Sequence, residues 1–161
     1  MNNISDHITY SEATKSLTAM REGINNTPDE QQLKNMRLWA YNIFEPMRAY
    51  FGRPIKIASF FRCRDLNSLV GGSLTSDHMQ GCAADIDQDH NNEGPTNAEI
   101  FFYVLDYLEF DQLIWEHGND NSPDWVHIGY RHGANRGQVL RKYPNKSGYH
   151  FWEPRKNKDN V

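Results

Sequence analysis

Cysteine is scarce. Cys63 and Cys82 are the only two in 161 residues, and they lack the CxxC spacing of a thiolate zinc knuckle. A disulfide framework therefore does not hold this fold, and both are read as free thiols. Long apolar runs are missing too. No stretch approaches the roughly 20 uninterrupted apolar residues of a membrane helix, and residues 1–12 carry neither the basic nor the apolar part of an export signal. The expectation is a chain without a signal peptide, made in the cytoplasm, with no membrane partner. Repeats, low-complexity tracts and interdomain linkers are also lacking, which excludes solenoids and strings of domains. Nor does one sign of charge dominate, since the formal net charge is −4. That balance hides a split: residues 1–130 hold 9 Lys and Arg against 19 Asp and Glu, while residues 131–161 hold 8 against 2. The acidic body argues against a specific nucleic-acid partner, and the basic end reads as solvated charge.

What is present fits one α+β domain, with 38% hydrophobic and 12% aromatic residues to build a core. Its span is expected to be 1–154, followed by a frayed basic tail at 155–161. Thr9 with Glu12, Thr27 with Glu30 and Thr96 with Glu99 each have the spacing that lets two side chains satisfy helix-end amides, so helices should follow. After Pro28, apolar residues recur at three and four up to Phe51, and Gly52 supplies a stop. Pro46 inside this helix predicts a kink near 42–46. Strands are expected at 55–61, 83–89, 111–116 and 125–130, with a fifth at 139–143.

The residues that carry chemistry fall in two clusters. On the strand 83–89, alternation puts Asp85, Asp87 and Asp89 on one face, and His78 stands just before a Gly81 turn able to swing it back toward Asp85. On the strand 125–130, Val126, Ile128 and Tyr130 share one face while Trp125 and His127 take the other. Two histidines and an aspartate form a common zinc set with a vacant fourth position for water. Seven histidines and 21 acids produce such combinations by chance, so on spacing alone a hydrogen-bonded core His127 stands beside the metal reading. His7, His90, His132 and His150 read as surface, loop or tail residues, and Trp39, Trp115 and Trp125 as core or cleft wall.

Ser59-Phe60-Phe61-Arg62, Asn67, Gly71-Gly72-Ser73, the stretch from Ser76 through His78, Gly81 and Asp85 to Ile86, and Trp125-Val126-His127-Ile128-Gly129-Tyr130 tip this balance. In order and spacing they resemble the zinc D-Ala-D-Ala carboxypeptidase and murein endopeptidase family. Ile4–Glu12, Arg21–Asn26 and Glu45–Arg48 resemble its phage and bacterial branch. The resemblance implies helices packed on a small antiparallel sheet, a Zn2+ cofactor held by His78, Asp85 and His127, and a monomer acting on peptidoglycan stem peptides. It implies that Arg62 holds a substrate carboxylate or carbonyl oxygen and that Asp124, three residues before His127, is the general base. Glu116 is the second choice for that base. Two departures stand out. Ser122 occupies a position where some members carry a further histidine, for which His117 could substitute, and Phe60-Phe61 replace a glycine and a tyrosine, which should narrow the cleft. A phage lysis enzyme released through a holin, or one carried in a virion, would reach the wall without a signal peptide. The alternative is a non-catalytic zinc-bearing module that binds cell wall or a protein partner.

Overall fold

The computed structural model describes residues 3–89 and 91–153. His90 and the tail 155–161, read above as loop and frayed end, lie outside the described residues.

The first half is helical. In α1 (Tyr10–Thr14) the Thr9 hydroxyl accepts the Glu12 amide, as its spacing predicts. A short α2 (Leu17–Arg21) follows, capped by Ser16. The next helix, α3 (Glu30–Trp39), opens two residues later than Thr27 suggests. Asp29 accepts the Gln32 amide at 2.8 Å and Gln32 accepts the Asp29 amide at 2.7 Å, completing a reciprocal box. Two box patterns overlap here, and the one whose members both lie beyond Pro28 is used. At residues 40–44 the ladder widens to a π turn, with the Glu45 amide reaching the Ala40 carbonyl, before α4 (Glu45–Phe51) resumes with Pro46 in its first turn. The wide turn absorbs the hydrogen bond that Pro46 cannot donate, so the predicted kink takes this form. Gly52, at φ 61°, ends the helix in the left-handed region.

The second half alternates strands with short helical pieces: β1 (Ile57–Ser59), α5 (Arg64–Leu69), a 3-10 turn (Asp77–Gln80), β2 (Ala83–Ile86), α6 (Asn97–Tyr107), β3 (Gln112–Glu116), β4 (Trp125–Gly129), β5 (Gln138–Lys142) and β6 (His150–Phe151). Thr96 and Glu99 form the expected box at the start of α6. The sheet order is β1-β2-β4-β3-β5-β6. Its pairs are antiparallel except β3 with β5, which run parallel, a departure from the purely antiparallel sheet expected. Strand β1 is shorter than predicted because its register against β2 slips between Ile57 and Ser59. Strand β2 also stops early. Beyond Ile86 the Asp87 carboxylate accepts the Asp89 amide and the chain turns, so Asp85 alone, not three aspartates, stands on the strand.

One face of the sheet is sealed by helices. Ala84, Ile86, Leu113, Trp115, Val126 and Ile128 form a single core with Met36, Trp39, Ile43, Phe44 and Met47 from the long helix and Ile100, Phe101 and Val104 from α6. Within it the Trp39 indole donates to the Ile128 carbonyl at 2.8 Å, so its buried N–H is satisfied. Among the described residues no helix is long and apolar enough to cross a membrane.

Candidate metal centre and cleft

The opposite face of the sheet is chemical. Register sets it out in two rows: Asp85 pairs with His127, His127 with Ile114 and Ile114 with Leu140, while Trp125 pairs with Glu116 and Glu116 with Lys142. Paired residues on neighbouring strands project to the same side, so these residues floor one cleft of about 620 Å³.

His78 reaches this floor from the 3-10 turn. Gly81 closes the turn at φ 69°, and a β-carbon there would lie 2.6 Å from the Gln32 carbonyl, so only glycine lets the turn sit against α3. The Nδ1 of His78 is 2.7 Å from the Phe60 carbonyl, which can only accept. The ring proton therefore sits on Nδ1, and Nε2 presents a lone pair. That Nε2 is buried without a hydrogen-bond partner and lies 3.2 Å from Oδ2 of Asp85. Across the carboxylate, Oδ1 lies 2.8 Å from Nδ1 of His127. Ligand atoms of all three side chains fall within 4.8 Å of one another. An imidazole lone pair facing a carboxylate oxygen in a buried site repels it unless a cation lies between them, so the donor set suits a divalent ion such as zinc.

Arg62 borders the same space. Its amide donates to the His78 carbonyl at 3.3 Å, its Nη2 stands 3.7 Å from Oδ2 of Asp85, and its Nε is buried with no partner. At one end the chain at Gly71–Ser73 walls the cleft. Asn67, which is buried, donates to the Ser73 carbonyl at 2.8 Å, and a β-carbon on Gly72 would come within 2.1 Å of the Asn67 amide oxygen. Phe60 and Phe61 do not narrow the cleft as expected. Both point into the core, Phe60 against Trp39 with ring centroids 4.7 Å apart.

The two candidate bases separate. Glu116 is buried and lines the cleft, with the Tyr149 hydroxyl 3.4 Å from its Oε1. Asp124 is exposed and outside the lining. Its amide donates to the Glu116 carbonyl at 2.9 Å and its carbonyl accepts from the Asn97 side-chain amide at 2.8 Å, which fastens the turn before β4. His117 lines the cleft in the left-handed region at φ 53°, its ring 5.1 Å from that of Trp125. Ser122 instead donates to the Pro123 carbonyl. Lys142 and Tyr149 were not singled out by sequence reasoning. No motif marks them, because only the parallel β3–β5 pairing carries them to the cleft.

A family model described as Peptidase M15 matches residues 6–129, well over half of the chain. The chain belongs to the peptidase M15 family. M15 peptidases are zinc metallopeptidases, and His78, Asp85 and His127 are a group able to hold the metal in this one. No curated protein matches the chain. The matched segment holds Arg62, His78, Asp85, Glu116, Asp124 and His127, and it ends before β5, leaving Lys142 and Tyr149 of this M15 peptidase beyond it.

Electrostatics at the site follow from burial and close charge. Burial pushes His78 below the ordinary imidazole range and outweighs the pull of Asp85 in the other direction, which keeps the ring a neutral donor. Burial would raise Asp85, but the two histidines hold it well below the usual carboxylate range. Burial also disfavours the His127 cation, yet the hydrogen bond and charge of Asp85 lift it above the ordinary value. Burial pushes Glu116 up and outweighs the opposing charge of His127; the Asp85 charge adds to the rise, and Tyr149 and Lys142 oppose it more weakly. A carboxylate that holds its proton more tightly than usual, beside a metal-ligating trio, is equipped to take up and return protons.

Proposed function

We propose that this M15 peptidase hydrolyses peptide bonds in bacterial peptidoglycan stem peptides, as a D-Ala-D-Ala carboxypeptidase or murein endopeptidase, with Zn2+ held by His78, Asp85 and His127. The observation that carries this reading is the buried, unpartnered Nε2 of His78 aimed at Asp85 on the floor of a cleft that Arg62 and Glu116 also line. Zinc bound there would supply a Lewis acid for the scissile carbonyl and an acidified water as nucleophile.

The chain's own residues do the rest. The Phe60 carbonyl fixes the tautomer of His78 by accepting the hydrogen bond of its Nδ1–H, so the metal-facing Nε2 carries a lone pair. Arg62 offers its guanidinium to a substrate carboxylate or carbonyl oxygen and neutralises charge that develops there. Glu116 takes the proton of the attacking water and returns it to the leaving amine. It is the base in this reading, rather than Asp124, because it lines the cleft and the Asp124 carboxylate does not. The Gly71–Ser73 wall and the face of Trp125 shape the groove for an extended peptide.

The test is digestion of purified peptidoglycan from several wall chemotypes with zinc-loaded and chelator-treated protein, read by mass spectrometry. New muropeptides from the loaded sample alone are expected, and their masses identify the bond cut. Metal binding without any fragment would instead establish the non-catalytic wall-binding module.

A further inference from the structure

The charge split along the sequence has a counterpart in the cleft. Among the described residues that line it, Arg62 and Lys142 are the two Arg or Lys side chains, one from the acidic body and one from the basic end. Arg62 stands at the ion site, 3.7 Å from Asp85. Lys142 stands apart from it on β5, two strands beyond the His127 strand in the order β2-β4-β3-β5. At roughly 4.8 Å per strand, β5 runs about 10 Å from β4, the length of about three residues of extended peptide.

The arginines of the basic end are matched to acids: Arg131 to Asp77 and Asp111, Arg136 to Asp111, and Arg141 to Asp120. Lys142, which lines the cleft, forms no ion pair among the described residues, not even with its register partner Glu116. Its ammonium donates to the Lys146 carbonyl at 3.5 Å and lies 5.6 Å from the centre of the Tyr149 ring. An ammonium carries three donors, so two remain for an anion brought by the substrate. We propose that Lys142 is a specificity-determining residue: it receives a free carboxylate of the stem peptide two or three residues from the scissile bond, while Arg62 serves the reacting end. The inference rests on the stem-peptide reading and not on which acid is the base. Stem peptides offer two such groups, the α-carboxylate of a γ-linked glutamate and the side-chain carboxylate of diaminopimelate. Amidation of either keeps its size and removes its charge.

Synthetic stem peptides containing the bond cut in the digest, with each carboxylate free or amidated in turn, test this on the zinc-loaded chain. The wild type should favour the free carboxylate at one of the two positions by about tenfold in kcat/KM, carried by KM, and that position identifies the group bound. Lys142→Met should bring the ratio to about one, Lys142→Arg should retain most of it, and Lys142→Glu should reverse it. Both peptides meet the same sample, so the ratio is insensitive to the fraction folded. Calorimetric titration of the peptides into the metal-free protein should show the same preference as a ratio of Kd. No preference in the wild type at either position by either measurement, or a preference that Lys142→Met leaves intact, overturns the role of Lys142 and leaves the peptidase reading standing. No cleavage of any stem peptide by the zinc-loaded wild type overturns that reading and this inference with it.

Discussion

On one face of the sheet Ala84, Ile86, Leu113, Trp115, Val126 and Ile128 meet the helices with at most 2% exposure; on the other, Asp85, His127, Glu116 and Lys142 surround a cleft of about 620 Å³. The two sets alternate residue by residue along the same strands. Each strand therefore serves stability with one parity and chemistry with the other, and a single ladder register fixes both. A one-residue slip would bury the ligands and expose the core, so the apolar face enforces the alignment of Asp85 with His127. Damage to one face should leave the other largely intact.

The sharpest break of that separation is on the chemical side. His78→Ala or Asp85→Ala should abolish hydrolysis, by more than about 10³-fold, together with zinc content by elemental analysis, while the metal-free protein melts close to the wild type. Activity that survives loss of zinc would refute the proposed mechanism. Next in size, Glu116→Gln should lower kcat by about 10² to 10⁴-fold with zinc retained, whereas Asp124→Asn should stay within about twofold. The reverse ranking would return the base to Asp124. On the apolar side, Ile128→Ala should cost about 3 kcal/mol of unfolding free energy in a denaturant titration, with kcat of the folded fraction nearly unchanged.

The smallest effect concerns pH. Burial raises Glu116, so its proton persists above the ordinary carboxylate value of 4.5. In the metal-free protein the Glu116 carboxyl should therefore titrate above 4.5. Linkage has the matching sign. A carboxyl that binds its proton more tightly when folded contributes stability below its unfolded pKa and loses it as pH rises through the folded one. The metal-free Glu116→Gln protein should lose less stability than the wild type between pH 4 and pH 7, roughly the window of a raised carboxyl. An identical pH dependence in both would exclude a raised Glu116.

Local patterns made much of this legible. The helix signals at Thr9 and Thr96 and the alternation of Trp125–Tyr130 depend on near neighbours, and the structure follows them. The α+β class and the family followed from motif order along the chain. The single aspartate on β2 was not legible, because an Asx turn at Asp87 outcompetes strand continuation. Nor was the difference between the two acids. The three-residue spacing of Asp124 and His127 is visible in the sequence, but the Asp124 backbone is held by distant partners, the Glu116 carbonyl and the Asn97 side-chain amide, and the residue lies exposed outside the cleft lining. Likewise, Glu116 meets the cleft through pairing with Trp125 across a turn held by the left-handed His117 and Gly118. Lys142 and Tyr149 depend on a parallel pairing that no local pattern announces.

That parallel pairing also sets apart the two edges of β3. Strand β3 meets its antiparallel neighbour through a nearby turn, but its other edge is covered by residues 138–142. One wall of the groove therefore depends on a crossover connection rather than on a hairpin.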